Sequence, residues 1–367
     1  MASDLVIHAA IGRDDVAGVV ALSAFGTGVT ATEPRNLLVI DGAWEPEAVK
    51  EAGLRIINAA SSGPAQEHVA YGDVEHGTAR RFVLAGGAEH IGVIYSQDGL
   101  TETRDWMNAV FGRTDKGLID RRGKWLGLLF LGLVALAYSL SCLLPAISAI
   151  PLGAGLGWKR QWPVAVAPAL LTPLILWKAP TDFLPILLGD YLAMHFALYG
   201  MLTGAGLWLS KRPLAGRPFA VSLRACALPA FLVATTIVFG LGAPIDLFVT
   251  SFAPTSLRWI LIPIMFCCTS IYFLTDEWLT RGDGAARGGP LFTRFCFLVS
   301  LGIAVALNPQ KLFFLIIIIP VIFIFFCIFG LFSRWTYART RDPRVAAFGN
   351  AAGLAWAICV TFPIVGA

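Results

Sequence analysis

The chain has 367 residues, 56% of them hydrophobic and 14% charged, with a formal net charge of +4 and a mean hydropathy of +0.70. A charged fraction this far below the ~25% usual for water-soluble domains excludes an ordinary soluble enzyme and a disordered chain, and points to a membrane protein. The charge is unevenly divided: residues 1–123 hold 11 Lys+Arg against 17 Asp+Glu and are net −6, whereas the remainder holds 17 against 7 and is net +10.

In chain order, Ala2–Gly12 carries apolar residues at Leu5, Val6, Ala9 and Ala10 and reads as an amphipathic helix. Val16–Phe25 is a largely apolar run of strand type, and Asn36–Ile40 is a short buried strand that runs into Asp41-Gly42-Ala43-Trp44-Glu45-Pro46. Glu47–Ala59 is rich in good helix formers. A third strand, Arg80–Leu84, leads to Gly86-Gly87-Ala88-Glu89-His90, and Leu100–Phe111 closes the segment as a helix with Trp106 and Val110 on one face. Continuous apolar strands alternating with helices predict a parallel sheet of about three strands, that is, an α/β domain over residues 1–113. Residues 114–124 form a basic juxtamembrane linker.

From Trp125 onward, apolar runs recur with lengths near the ~20 residues that a helix needs to cross a bilayer. Eight spans are predicted: Trp125–Ile150, Trp162–Trp177, Phe183–Ser210, Phe219–Gly240, Arg258–Leu279, Leu291–Leu307, Leu312–Phe332 and Val345–Val365. The second and sixth are short enough to be re-entrant. The break at Gly242-Ala243-Pro244 reads as an interfacial turn. Basic residues collect in the connections after spans one, three, five and seven: Lys159 and Arg160; Lys211, Arg212 and Arg217; Arg281, Arg287 and Arg294; Arg334, Arg339, Arg341 and Arg344. These four connections are expected on the cytoplasmic side, which puts both termini on the outer face of a bacterial-type inner membrane. Arg113, Lys116, Arg121, Arg122 and Lys124, just before span one, argue the other way.

Ionisable groups inside spans are functional candidates because they are costly there. Asp190 and His195 are the strongest pair, but a five-residue offset sets them about 140° apart on a helix, which favours separate polar contacts over a joint relay or metal site. Asp246, Asp276 and Glu277 fall near span ends, where water is available. The seven cysteines all lie in the apolar part, without the spacing of a metal or redox motif. No cofactor and no nucleic-acid partner is expected, and Gly26-Thr27-Gly28 is too weak a pattern for a phosphate cradle.

Ligand and catalytic groups on parallel sheets gather at the carboxyl ends of the strands. Glu45 follows one strand end and His90 the next. With Gly42-x-x-Glu45, Glu89-His90-Ile91-Gly92, and Arg104-Asp105-Trp106 with Phe111-Gly112-Arg113, residues 1 to about 112 resemble the C-terminal half of an α/β-hydrolase (serine hydrolase) domain. The resemblance implies Glu45 as the acid and His90 as the general base of an acyl-ester hydrolase, and a place at a bilayer would suit an amphiphilic substrate. Asp41 is the alternative acid, and a carboxylate that merely favours a helix dipole is the plain alternative for Glu45. A solvated loop residue is the corresponding alternative for His90.

The family's Gly-x-Ser-x-Gly elbow is missing. Met1-Ala2-Ser3-Asp4 looks like the stretch after the nucleophile, so the serine is expected just before Met1, with the Met1 backbone N–H as an oxyanion donor and the chain starting at an internal methionine. As written, the chain is then expected to be inactive. Ser3 reads as a helix-entry residue and Ser23 lacks the flanks of a nucleophile, while His8, His68 and His76 have no partner at informative spacing. A transport or binding role for the helices, with a regulatory or vestigial front segment, is the competing expectation.

Overall fold

The computed structural model describes residues 2–26, 28–61, 63–210 and 223–365. Met1 with its proposed oxyanion role, Thr27 of the glycine pattern, and Lys211, Arg212 and Arg217 of one basic connection lie outside the described residues. The chain divides into two compact units, residues 1–128 and 129–367.

In the first unit the elements are α1 (Ala2–Ala10), β1 (Val19–Leu22), β2 (Leu37–Gly42), α2 (Glu47–Asn58), β3 (Ala70–Tyr71), β4 (Arg80–Ala85), a 3₁₀ turn (Gly92–Tyr95) and α3 (Gln97–Val110). The strands form one sheet in the order β1-β2-β4-β3, with β1, β2 and β4 parallel and β3 antiparallel to β4. The three parallel strands match the expected sheet. The short β3 was not expected, because two residues are too few to show an alternating pattern.

All six residues of β2 are buried, as expected for a central parallel strand covered on both faces. On one face Leu37, Val39 and Phe82 pack with Ile7 of α1 and with Ile56 and Ile57 of α2. On the other, Leu38, Ile40 and Val83 pack with Trp106 of α3, whose Nε1 donates to the Asn36 carbonyl at 3.1 Å. Helix α2 buries Val49, Ala52, Gly53, Ile56 and Ile57, the one-stripe spacing of an amphipathic helix. Glu47 lies in its first turn, where the helix dipole favours a carboxylate. Helix α3 starts at Ser96, whose side chain accepts from the Gly99 N–H at 3.4 Å.

The second unit is helical: α4 (Arg122–Ser141, which begins in the first unit), α5 (Trp158–Leu176), α6 (Gly189–Leu209), α7 (Leu223–Thr235), a π-helical turn (Thr236–Leu241), α8 (Gly242–Phe248), α9 (Arg258–Thr280), α10 (Gly289–Leu307), α11 (Pro309–Leu312), α12 (Leu315–Thr340) and α13 (Pro343–Thr361). Among the described residues seven helical segments are long and apolar enough to cross a membrane, and the chain is an integral membrane protein. The expected second span is the one that falls short. Its helix, α5, carries Lys159, Arg160 and Gln161 in its first turn and prolines at 163, 168 and 173, which lower its hydropathy.

Two expected boundaries also shift. The first span stops at Ser141, and the following segment is tied to the end of α12, with the Ile147 N–H donating to the Thr340 carbonyl and Leu152 N–H to the Arg341 carbonyl. At Gly242-Ala243-Pro244 the chain does not turn. It continues through the π-helical turn, so that Arg224–Phe248 is a single span of 25 residues. Pro244 follows closely on that π-helical turn, inside the continuous span.

Small residues let these helices approach closely, the usual means of association where lipid supplies no hydrophobic drive between them. A Cβ on Gly200 of α6 would lie 2.6 Å from the Tyr272 nitrogen of α9, and one on Gly353 of α13 would lie 2.3 Å from Ile237 Cγ2. The space left is filled by rings: Phe297 lies 4.7 Å from Phe196 and 4.6 Å from Tyr272, centroid to centroid. Helix α13 is almost entirely buried, whereas α4 exposes most of its apolar surface, the disposition of a central and a lipid-facing helix.

Candidate functional site: a carboxylate and a histidine at the sheet edge

The loops after β2 and β4 are stitched together. Ala43 N–H donates to the Ala85 carbonyl and Trp44 N–H to the Ala88 carbonyl, each at 3.0 Å. The crossing is tight enough that a Cβ on Gly42 would lie 2.4 Å from the Ala88 oxygen, so the residue ending β2 must be glycine. This lacing sets Glu45 opposite His90, with 3.0 Å between Glu45 Oε2 and His90 Nδ1.

Glu45 is buried, and its other oxygen, Oε1, accepts from the Gly42 N–H at 3.0 Å and from Ser23 Oγ at 2.5 Å. Burial works to raise the Glu45 pKa, but the hydrogen bonds from His90, Ser23 and the Gly42 N–H outweigh it and leave the carboxyl below its ordinary value. An ionised Glu45 holds the proton on His90 Nδ1 and leaves Nε2 as the basic nitrogen. The His90 ring is one-third exposed, and Glu45 is its one hydrogen-bond partner among the described residues.

Ser23 follows β1 with φ +53°, a left-handed conformation uncommon for a non-glycine residue, and its hydroxyl donates to Glu45. The first turn of α1 sits at the same edge. Ser3 Oγ donates to the Leu22 carbonyl, and Asp4 Oδ1 accepts from the backbone N–H of Phe25 at 3.2 Å and of Gly26 at 2.7 Å. Glu89 does not take part in the pair; its carboxylate accepts from the N–H groups of Ile91 and Gly92 at 2.9 and 2.7 Å. A depression of about 440 Å³ borders these loops, lined by Trp44, Glu89 and Tyr95 among others but by neither Glu45 nor His90.

Asp41, the alternative acid, makes no hydrogen bond to His90. Its side chain lies inside β2 with 0% exposure, and neither carboxyl oxygen has a hydrogen-bond partner; the nearby Ser23 N–H is committed to the Ile40 carbonyl at 2.9 Å. Burial, followed by repulsion from Glu45, pushes its pKa up to about 8. From about pH 4 to pH 8 the folded state therefore keeps a proton that the unfolded chain releases, and stability falls as pH rises through that window. Asp41→Asn should abolish this dependence. Hydrogen exchange of residues 37–42 is expected to be slower in the variant than in the wild type at pH 8, with the two converging near pH 4; equal protection at pH 8 would refute a buried neutral carboxyl.

In the helical unit Asp190 and His195 form no bond to each other, and Tyr191 meets both, through its N–H and through its hydroxyl. Asp190 caps the start of α6, accepting from the N–H of Tyr191 at 2.8 Å and of Phe183 at 3.1 Å. His195 lies 3.1 Å from Ser300 Oγ through Nε2 and 3.4 Å from the Tyr191 hydroxyl through Nδ1. His8 bonds back to the Asp4 carbonyl and His76 to Asp73, both at the surface.

Asp276 and Glu277, expected at a hydrated span end, are instead buried. Arg294 Nη2 donates to Glu277 Oε1 at 2.8 Å and Arg281 Nε to Glu277 Oε2 at 3.0 Å, while Asp276 lies 3.8 Å from Arg294. Glu277 and Arg281 stand four residues apart, a helical ion-pair spacing in the sequence, although Arg281 itself lies just past the end of α9. Among the described residues no group of three or more His, Cys, Asp and Glu side chains could hold a metal ion. Comparison with known proteins finds no matching family model, no matching curated protein and no matching solved structure.

Proposed function

We propose that this membrane protein is an esterase- or lipase-like hydrolase of the α/β-hydrolase type, in which Glu45 and His90 form the acid–base part of a serine relay. The observation that carries the reading is the 3.0 Å bond between two side chains from loops at the carboxyl ends of adjacent parallel strands. In this reading His90 Nε2 removes the proton from an attacking serine hydroxyl and later returns it to the leaving alcohol, while Glu45 fixes the ring and stabilises the imidazolium. The position of the first turn of α1, beside Ser23 at the same sheet edge, supports a nucleophile at the entry to that helix. Residence in a bilayer suits an amphiphilic ester.

A fluorophosphonate probe tests this on the native gene product in its own membranes. Labelling is expected at one serine, mapped by peptide mass, and should disappear in His90→Ala. Absence of labelling, or labelling that His90→Ala leaves intact, would overturn the proposal. A second reading, a binding or transport role for the helical unit, is favoured by the buried Glu277–Arg294 network.

A further inference from the structure

Between α10 and α12 the helical unit carries an open groove of about 1170 Å³. Its walls are apolar, from Phe295 and Leu298 of α10 and Phe323 and Leu331 of α12, and its lining includes Trp158, which packs edge-on against Phe292. At one end the lining turns basic. Arg281 follows α9, Arg287 precedes α10, Arg294 lies early in α10 and Arg334 late in α12, so all four belong to the end where these helix termini meet. There the Tyr337 hydroxyl accepts from the Gly282 N–H at 3.1 Å, and the Arg281 guanidinium lies 5.2 Å over the Tyr337 ring.

The charges at that end do not cancel. Glu277 is shared by Arg281 and Arg294, at 3.0 and 2.8 Å, and Asp276 lies 3.8 Å from Arg294. Arg287 and Arg334 are exposed and form no ion pair among the described residues. Asp283, in the same connection, forms none either and does not line the groove. Arg294, 5% exposed, still has an Nε without a hydrogen-bond acceptor. Two cations thus stand unpaired at the head of a long apolar trough.

We propose that this groove binds one anionic phospholipid, its phosphate between Arg287 and Arg334 and its acyl chains along α10 and α12. Charge complementarity selects the headgroup, because unpaired arginines at a helix-end interface attract a net-negative phosphodiester and have little use for a zwitterion. Size selects a lipid over a free anion: the groove exceeds the roughly 300–1,000 Å³ of small-molecule sites, and most of its wall can bind only hydrocarbon. The exposed Trp158, packed on Phe292 in the first turn of α10, fits the headgroup level of a bilayer. This site is independent of Glu45 and His90 and stands or falls without them.

Native mass spectrometry of the full chain in detergent tests it, with phosphatidylglycerol, phosphatidylcholine and inorganic phosphate as probes. The wild type should retain one phosphatidylglycerol and release phosphatidylcholine. R287Q/R334Q should bind phosphatidylglycerol roughly thirtyfold more weakly, since each basic group near an anionic surface contributes about a factor of five. K159Q/R160Q, which removes the same charge outside the groove, should bind normally, and L298W, which fills the trough, should lose the lipid with its arginines intact. Equal retention of the two lipids, equal loss in both double variants, or displacement by millimolar phosphate would overturn the proposal, the last by showing a site for a free anion. Both arginines are exposed and unpaired, so their removal leaves the fold in place.

Discussion

Replacing Glu277 by alanine is expected to destabilise the helical unit by about 3–5 kcal/mol, the usual cost of deleting one partner from a buried ion pair. Glu277 is 0% exposed and is the acceptor for both Arg281 and Arg294. Its removal takes from Arg294, 5% exposed, its one close carboxylate partner and leaves Asp276 at 3.8 Å. Glu277→Gln keeps the shape and one acceptor oxygen and should cost less than alanine. Asp182→Ala makes the contrast, because its bond to Lys311 joins two side chains at 76% and 35% exposure, and surface pairs contribute at most about 1 kcal/mol. SDS titration of the detergent-purified protein measures all three. If Glu277→Ala and Asp182→Ala unfold at the same midpoint, the network adds nothing to stability.

The largest effect on activity is expected at His90. If Glu45 and His90 drive ester hydrolysis in the native gene product, His90→Ala there should lower kcat for a p-nitrophenyl ester by about 10⁴–10⁶-fold, the scale of loss when a serine relay is broken. Glu45→Gln leaves the buried side chain nearly isosteric but removes the negative charge that stabilises an imidazolium, and a loss of about 10²–10⁴-fold should follow, with KM little changed. Ser23→Ala deletes only one of three hydrogen bonds to Glu45 and should cost about tenfold. The order His90, Glu45, Ser23 is the discriminating result. A Ser23 variant as inactive as the His90 variant would mean that Ser23 acts on substrate directly and not through Glu45.

Much of the first unit could be read from local pattern. The continuous apolar runs at Leu37–Ile40 and Phe82–Leu84, each followed by a glycine-containing loop, placed Glu45 and His90 at equivalent ends of neighbouring strands, and the parallel register of β2 with β4 then brings those loops side by side. Ser23 was harder to see, because its part depends on a left-handed backbone at the end of β1 and on a partner 22 residues away. Asp41 stayed open as an alternative acid for a related reason: sequence puts it one residue before the turn, and only the strand's pleat decides that its carboxyl is buried away from His90.

For the helices, hydropathy located seven of the eight expected spans, with ends off by up to nine residues, but misjudged continuity and burial. Pro244 looked like a break, whereas the helix continues through the π-helical turn that precedes it. Asp276 and Glu277 looked hydrated because they close a span, yet α10 and α12 cover them and supply Arg294 and the Phe326 carbonyl it binds.

The sequence by itself determined that this is a membrane protein with an acidic α/β segment ahead of apolar helices, since hydrophobic length, periodicity and charge balance are properties of neighbouring residues. The tertiary structure decided which polar groups meet: Glu45 with His90 and Ser23, Glu277 with Arg281 and Arg294, and the unpaired Arg287 and Arg334 at one groove. Those pairings depend on how strands register and helices cross, and packing distances of a few ångströms between residues far apart in the chain leave no periodic trace in it.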